Sequence, residues 1–205
     1  MTERLYLYAL WLRIWHWGNA LLFLVLILTG ASMHYAGEVG FLIPFGTAVA
    51  LHNFAGVTLT LLYLVFFLGN ILTGNYKHYL PKFRGMVTRL VRQTKYYLYG
   101  IFVGAPHPTH ATLELKFNPL QQVTYLGIMY GLVPFIIATG WALFFPSEYP
   151  EKILGAGGIW PVAVGHTLLG YFGALFMVGH AYLGTTGHTP GANFKGMWNG
   201  WHENE

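Results

Sequence analysis

The sequence predicts an all-α membrane protein: a bundle of four transmembrane helices, an amphipathic cytoplasmic helix between spans two and three, and both termini in the cytoplasm. Three observations carry that class. Only 9% of the 205 residues are charged and 55% are hydrophobic, against about 25% charged in an ordinary soluble domain. Four stretches, 14–37, 39–76, 117–147 and 153–194, contain no Asp, Glu, Lys or Arg. Each can supply the roughly 20 apolar residues that cross a hydrocarbon core. The basic residues, finally, crowd into alternate connections. So little charge cannot coat a soluble surface, and the bilayer is the expected solvent for a single integral membrane domain over residues 1–205.

The first span is expected near 10–33. Ala20–Leu28 resembles the apolar core of a cleaved signal peptide. The apolar run continues well beyond that length, however, and Trp11, Trp15 and Trp17 sit where an interfacial aromatic belt belongs, so the segment reads as a retained span. The second span is expected near 47–72. Residues 77–116 then form one long connection in which Phe83, Met86, Val87, Leu90, Val91 and Tyr97 recur at helical spacing, with Lys82, Arg84, Arg89, Arg92 and Lys95 largely elsewhere. That is the pattern of a helix lying on a membrane surface and touching anionic lipid. Gly104-Ala-Pro-His-Pro-Thr-His110 breaks it. The third span is expected near 122–145 and the fourth near 160–184.

Orientation follows from Lys and Arg. Ten of the 11 fall in the N-terminal segment (Arg4, Arg13), in 77–116, or in the tail (Lys195), and Lys152 alone falls in the other connections. The positive-inside rule therefore puts both termini and the 77–116 connection in the cytoplasm. Topology accounts for the formal charge of +4, and no nucleic-acid motif accompanies it. The absence of cysteine excludes disulfides, Cys-ligated iron–sulfur clusters and haem attached through C-x-x-C-H in this chain.

Ten histidines stand among only 18 acidic and basic residues. Ionisable groups at membrane depth are costly and mark function. His16, His52, His166 and His180 fall inside expected spans. His16 comes early in an outward span, near the inner face; His52 comes early in an inward span, near the outer face. On span four, His166 lies near the outer face, and His180 follows 14 residues later, about 21 Å deeper and close to four full turns on. The depths pair His16 with His180 and His52 with His166. Two imidazoles per iron, offered by facing helices, are what a low-spin electron-transfer haem requires. Gly56, Gly165, Gly170, Gly173 and Gly179 would leave helix faces bare for a flat macrocycle, although close helix packing uses the same residue. Zinc fits less well, because its ligands should converge on one point. His34 reads as interfacial, and His78, His107, His110 and His202 as solvated. His188, just beyond span four, reads as a loop residue or as part of a quinone or propionate site.

Arg13-Ile-Trp-His16-Trp17 opening span one, Lys116-Phe-Asn118-Pro-Leu-Gln121 before span three, and His166…His180 followed by Thr-Thr-Gly-His188 resemble the bacterial di-haem cytochrome b family. That family supplies the membrane subunits of formate dehydrogenase-N, NiFe-hydrogenases and thiosulfate reductase-like enzymes. The resemblance spans nearly the whole chain. It implies two haem b groups, a quinone site near the inner haem, and a redox partner of iron–sulfur or cytochrome c type at the outer face of the bacterial inner membrane. In the formate dehydrogenase relatives an Asn in a Lys-Tyr-Asn segment lies at the quinone pocket, and Asn118 matches it, with Pro119 and Leu120 replacing small residues. Asn118 reads equally as the N-cap of span three, with Pro119 at its first position. Arg13 reads as a partner of a haem propionate or as a snorkelling interfacial cation.

The expected function is therefore transmembrane electron transfer between a partner and quinone, with substrate chemistry beyond quinone turnover belonging to the partner. Two other classes stand beside it. One is a stand-alone cytochrome b quinone reductase fed by a small diffusible donor; the other is a haem-free anchor or transporter using histidines as a relay.

Overall fold

The computed structural model describes residues 4–37, 42–153, 155–187 and 189–203. A short strand β1 (Arg4–Tyr6) leads into α1 (Leu10–His34) and α2 (Phe45–Thr73). A 3-10 turn at Asn75–Tyr79 follows, then α3 (Met86–Leu98) and a second 3-10 turn at Gly100–Val103. Next come α4 (Pro119–Gly127), one π turn (Ile128–Leu132) and α5 (Val133–Leu143) as a single run. The pair β2 (Lys152–Ile153) and β3 (Ala156–Gly157) precedes α6 (Trp160–Gly184), α7 (Ala192–Asn199) and β4 (Trp201–Glu203).

Four of these runs are long and apolar enough to cross a membrane: α1, α2, α4 through α5, and α6, of 25, 29, 25 and 25 residues. At 1.5 Å per residue, 25 residues extend about 37 Å, beyond the roughly 30 Å hydrocarbon core. Burial is inverted relative to a soluble bundle. Leu21, Leu24 and Leu28 form an exposed stripe on α1, while Thr29 and Ser32 beside them are buried.

The third span begins at Pro119 rather than near 122 because a capping box starts it. The Asn118 side chain accepts from Gln121 N at 2.9 Å, and Gln121 Oε1 accepts from Asn118 N at 3.0 Å. Pro119 takes a first-turn place where no N–H is needed. Its π turn sits just before Pro134, whose missing N–H and bulky ring break the regular ladder.

By their contacts the residues group into two compact units, Ile14–Phe66 with Gly131–Val178, and Met1–Arg13 with Phe67–Tyr130 and Gly179–Glu205. In the first, Trp15 stacks on Phe66 at 4.3 Å and its indole N–H donates to Leu62 O at 3.0 Å. Trp141 Nε1 donates to Thr60 Oγ1 at 3.0 Å, and the Tyr35 and Tyr171 hydroxyls meet at 2.8 Å. In the second unit β1 pairs antiparallel with β4, Arg4 opposite Glu203 and Tyr6 opposite Trp201. Gly200 makes this possible with φ of 89°, since a Cβ there would lie 2.5 Å from the Tyr6 ring. The three tryptophans at the start of α1 differ in packing. Trp15 is buried, and Trp11 lies against Gly69, where a Cβ would approach its ring to 2.9 Å; Trp17 alone of the three is exposed.

The amphipathic helix of the long connection is α3. Val87 and Val91, with Phe83 before the helix, stay exposed, whereas Gln93 is buried. Met86, Leu90 and Tyr97 are half-buried, and Tyr97 OH accepts from Asn118 Nδ2, so only part of the apolar face is left exposed.

Candidate functional site

His52 lies two turns into α2, and His166 two turns into α6, within the same compact unit. Their ring centres are 6.2 Å apart with planes at 73°. A metal–imidazole bond of roughly 2.0 Å on each side, with about 1.1 Å from each nitrogen to its ring centre, gives about 6.2 Å for two imidazoles on opposite sides of one ion. The separation fits a shared iron.

The rings are also oriented. Thr29 Oγ1 lies 2.9 Å from His52 Nδ1 and donates to Val25 O at 2.7 Å. Thr139 Oγ1 lies 2.9 Å from His166 Nδ1 and donates to Phe135 O at 2.9 Å. Both Nδ1 atoms are therefore engaged, and Nε2 is the nitrogen left on each ring that could serve a metal. Beside each Thr stands a glycine. Cβ atoms added at Gly30 and Gly140 would sit 3.4 Å and 3.2 Å from the Cε1 atoms of His52 and His166.

One turn after each histidine, on the same helix face, come Gly56 and Gly170. A Cβ at either would meet nothing within 4 Å, so both positions present bare backbone and free space, as a flat macrocycle needs. Among the described residues no three His or Glu side chains gather around a common point. A metal held here would take its other ligands from outside the protein, and a porphyrin supplies four in one plane. Gly165 and Gly179 likewise face open space, whereas Gly173 packs against Phe23 and Leu132.

The other expected pair divides between the units. His16 is in the second turn of α1, its ring 5.3 Å from that of Trp17, and His180 lies in the last turn and a half of α6. Arg13 donates from one guanidinium nitrogen to Trp198 O, while its Nε is buried without an acceptor among the described residues. A buried donor of that kind suits a carboxylate. His188 falls outside the described residues.

Asn118 is buried, and its side chain is used at both ends. Oδ1 caps α4, and Nδ2 donates to Tyr97 OH at 3.2 Å, leaving one amide hydrogen without an acceptor among the described residues. Around it lies a polar cluster that was not read from the sequence. Asn75 Nδ2 donates to Asn70 Oδ1 at 2.8 Å and to Tyr79 OH at 2.9 Å, and Lys116 Nζ donates to Asn75 Oδ1 at 3.4 Å. Gln122 Nε2 donates to His78 O at 3.1 Å. Burial pushes the Tyr79 and Tyr97 hydroxyls up and the Lys116 ammonium down. His78 and His107, expected as solvated, are instead partly buried and bonded. His78 Nδ1 meets Glu114 O at 3.2 Å, and His107 Nδ1 meets Thr109 O at 2.5 Å. Burial, and then the Lys116 charge, hold His78 below the ordinary histidine value.

Thr29 and Thr139 were not among the site residues expected from the sequence. A weak signal was present: the dipeptide Thr-Gly occurs at 29–30, 73–74, 139–140 and 186–187, and the first and third of these lie inside spans one and three, each preceding a histidine-bearing span.

A model of the prokaryotic cytochrome b561 family matches residues 7–200. YdhU of Escherichia coli (strain K12), a protein provisionally named a cytochrome, is 40% identical over 200 residues, covering 98% of this chain and 75% of that relative. No solved structure matches the chain.

Proposed function

The chain belongs to the prokaryotic cytochrome b561 family, and on that premise we propose that it is the membrane subunit of a respiratory oxidoreductase, carrying two bis-histidine haems b. As a multi-pass bacterial cytochrome b it binds haem b and transfers electrons. The finer assignment is transmembrane transfer between a redox partner of iron–sulfur or cytochrome c type at the outer face and quinone near the inner haem. His52 and His166 would hold the outer haem, and His16 and His180 the inner one, in a single membrane domain of the bacterial inner membrane with both termini and α3 on the cytoplasmic side.

When bound, haem would supply an iron that changes valence by one electron, with His52 and His166, and His16 and His180, as the residues that would hold it. The protein's part is orientation and exclusion. Thr29 and Thr139 hold the rings by Nδ1, and Gly56 and Gly170 leave room beside them. The apolar spans exclude water from the site. Arg13, with its buried unmatched Nε, would receive a propionate. Asn118 has one amide hydrogen left for a quinone oxygen, and the neighbouring Lys116 and His78 are suited to supply protons there. His188 is assigned to the same quinone site from its place in the sequence.

The observation that supports this best is the 6.2 Å separation of two imidazoles whose Nδ1 atoms are both engaged. The test is haem stoichiometry with reduced-minus-oxidised spectra. Two haems per polypeptide are expected. His52→Ala or His166→Ala should remove one, and His16→Ala or His180→Ala the other. A preparation with no b-type signal, or single substitutions that leave both haems in place, would overturn the assignment.

A further inference from the structure

We propose that Thr29 and Thr139 are paired positioning residues for the His52–His166 site, each fixing its imidazole as the Nδ1–H tautomer and strengthening it as a ligand. The inference rests on the assignment of His52 and His166 as axial ligands and adds the residues that act through them. A threonine hydroxyl has a single proton. Thr29 gives it to Val25 O, at 2.7 Å, and Thr139 to Phe135 O, at 2.9 Å. Carbonyls only accept, and with each hydroxyl proton on a carbonyl the threonine oxygen accepts from the ring nitrogen 2.9 Å away; the contacts of His52 with the Leu26 backbone and of His166 with the Ile136 backbone agree with a donating ring. Nδ1 then carries the proton, and the lone pair stays on Nε2.

Back-bonding alone does not explain the arrangement. Thr58, Thr60 and Thr73 also donate to carbonyls four residues earlier, a common habit of threonine in helices. Thr29 and Thr139 differ because the same oxygen also receives an imidazole, and because a glycine follows each and admits the ring edge. The device occurs twice, from α1 onto α2 and from α5 onto α6. Both faces of the site are therefore tied at the same ring atom by the same chemistry.

A hydroxyl oxygen accepting from Nδ1–H increases electron density at Nε2, which favours ferric over ferrous iron. Removing the acceptor should raise the midpoint potential of that haem alone. Thr29 is 1% exposed, so water does not readily replace the lost oxygen.

The experiment is redox titration of the purified, haem-loaded full chain carrying Thr29→Val, Thr139→Val, Thr29→Ser or Thr139→Ser, with His52→Ala as reference. Each Val variant should shift one of two potential components upward and leave the other in place, and haem retention against apomyoglobin should fall roughly 10- to 100-fold for the same component. The Ser variants should restore both. If one Val variant does not accumulate, the other reports on the opposite ring of the same site. Unchanged potentials and retention in the Val variants, or Ser variants that behave like Val, would refute the positioning role. The ligand assignment fails separately, if His52→Ala keeps both components.

Discussion

At the scale of single residues, the contrast between Gly140 and Gly30 is quantitative. A methyl at Gly30 would meet His52 Cε1 at 3.4 Å, ordinary contact, whereas at Gly140 it would meet His166 Cε1 at 3.2 Å. His166 cannot yield freely, because Thr139 holds its Nδ1. Gly140→Ala is therefore expected to cost about 1–3 kcal/mol of overpacking and to lower the haem content of one component, with Gly30→Ala near wild type. Gly170 supplies the complement. A Cβ there meets nothing, so Gly170→Leu should leave the melting of haem-free protein nearly unchanged while excluding haem from the loaded protein. Equal effects of Gly140→Ala and Gly30→Ala on haem stoichiometry would contradict the geometry. The four histidines were conspicuous in the sequence because a titratable ring at membrane depth is costly. The threonines were not, because threonine in an apolar helix ordinarily serves its own backbone, and only tertiary contact distinguishes Thr29 from Thr58.

At the scale of elements, spans could be read to within a few residues because their signal is summed over some 25 positions. The π turn at Ile128–Leu132 could not, since Pro134 predicts a break without saying how the ladder is repaired. The polar cluster was hidden for a similar reason: its members come from three separate stretches, Asn70 with Asn75, then Lys116, then Gln122, and only tertiary contact gathers them. Asn118 is the exception, since its cap was readable from Asn118 followed by Pro119, and it offers a measurable consequence. Asn118→Ala removes the N-cap, worth about 1 kcal/mol, and the bond to Tyr97 OH, worth a similar amount. Thermal unfolding should fall by a few degrees, and Asn118→Ser, which keeps a capping oxygen but no amide, should recover roughly half of the loss. Full recovery with serine would mean that the Tyr97 contact contributes nothing.

At the scale of the whole molecule, two independent observations bear on topology. The compact unit that contains both termini also contains Phe67–Tyr130, and ten of the 11 Lys and Arg residues belong to it, the same three segments that the positive-inside rule gathers on one side. Backbone hydrogen bonding between β1 and β4 adds a geometric constraint. Two chain ends paired as strands lie on one side of a bilayer, which requires an even number of spans, as four apolar helices provide. Three-residue strands carry no periodicity, so that pairing could not be foreseen from sequence. The absence of native cysteine makes the arrangement directly testable. Lys82 and Lys152 are separated by the third span alone, so Lys82→Cys and Lys152→Cys must be labelled from opposite faces by a membrane-impermeant maleimide. Lys152→Cys is expected to react in intact spheroplasts and Lys82→Cys only in inverted vesicles. The reverse pattern would invert all four helices and bring the His52–His166 site to the cytoplasmic side. Labelling of both from one face would break the four-span count itself, and with it the depth pairing of the histidines.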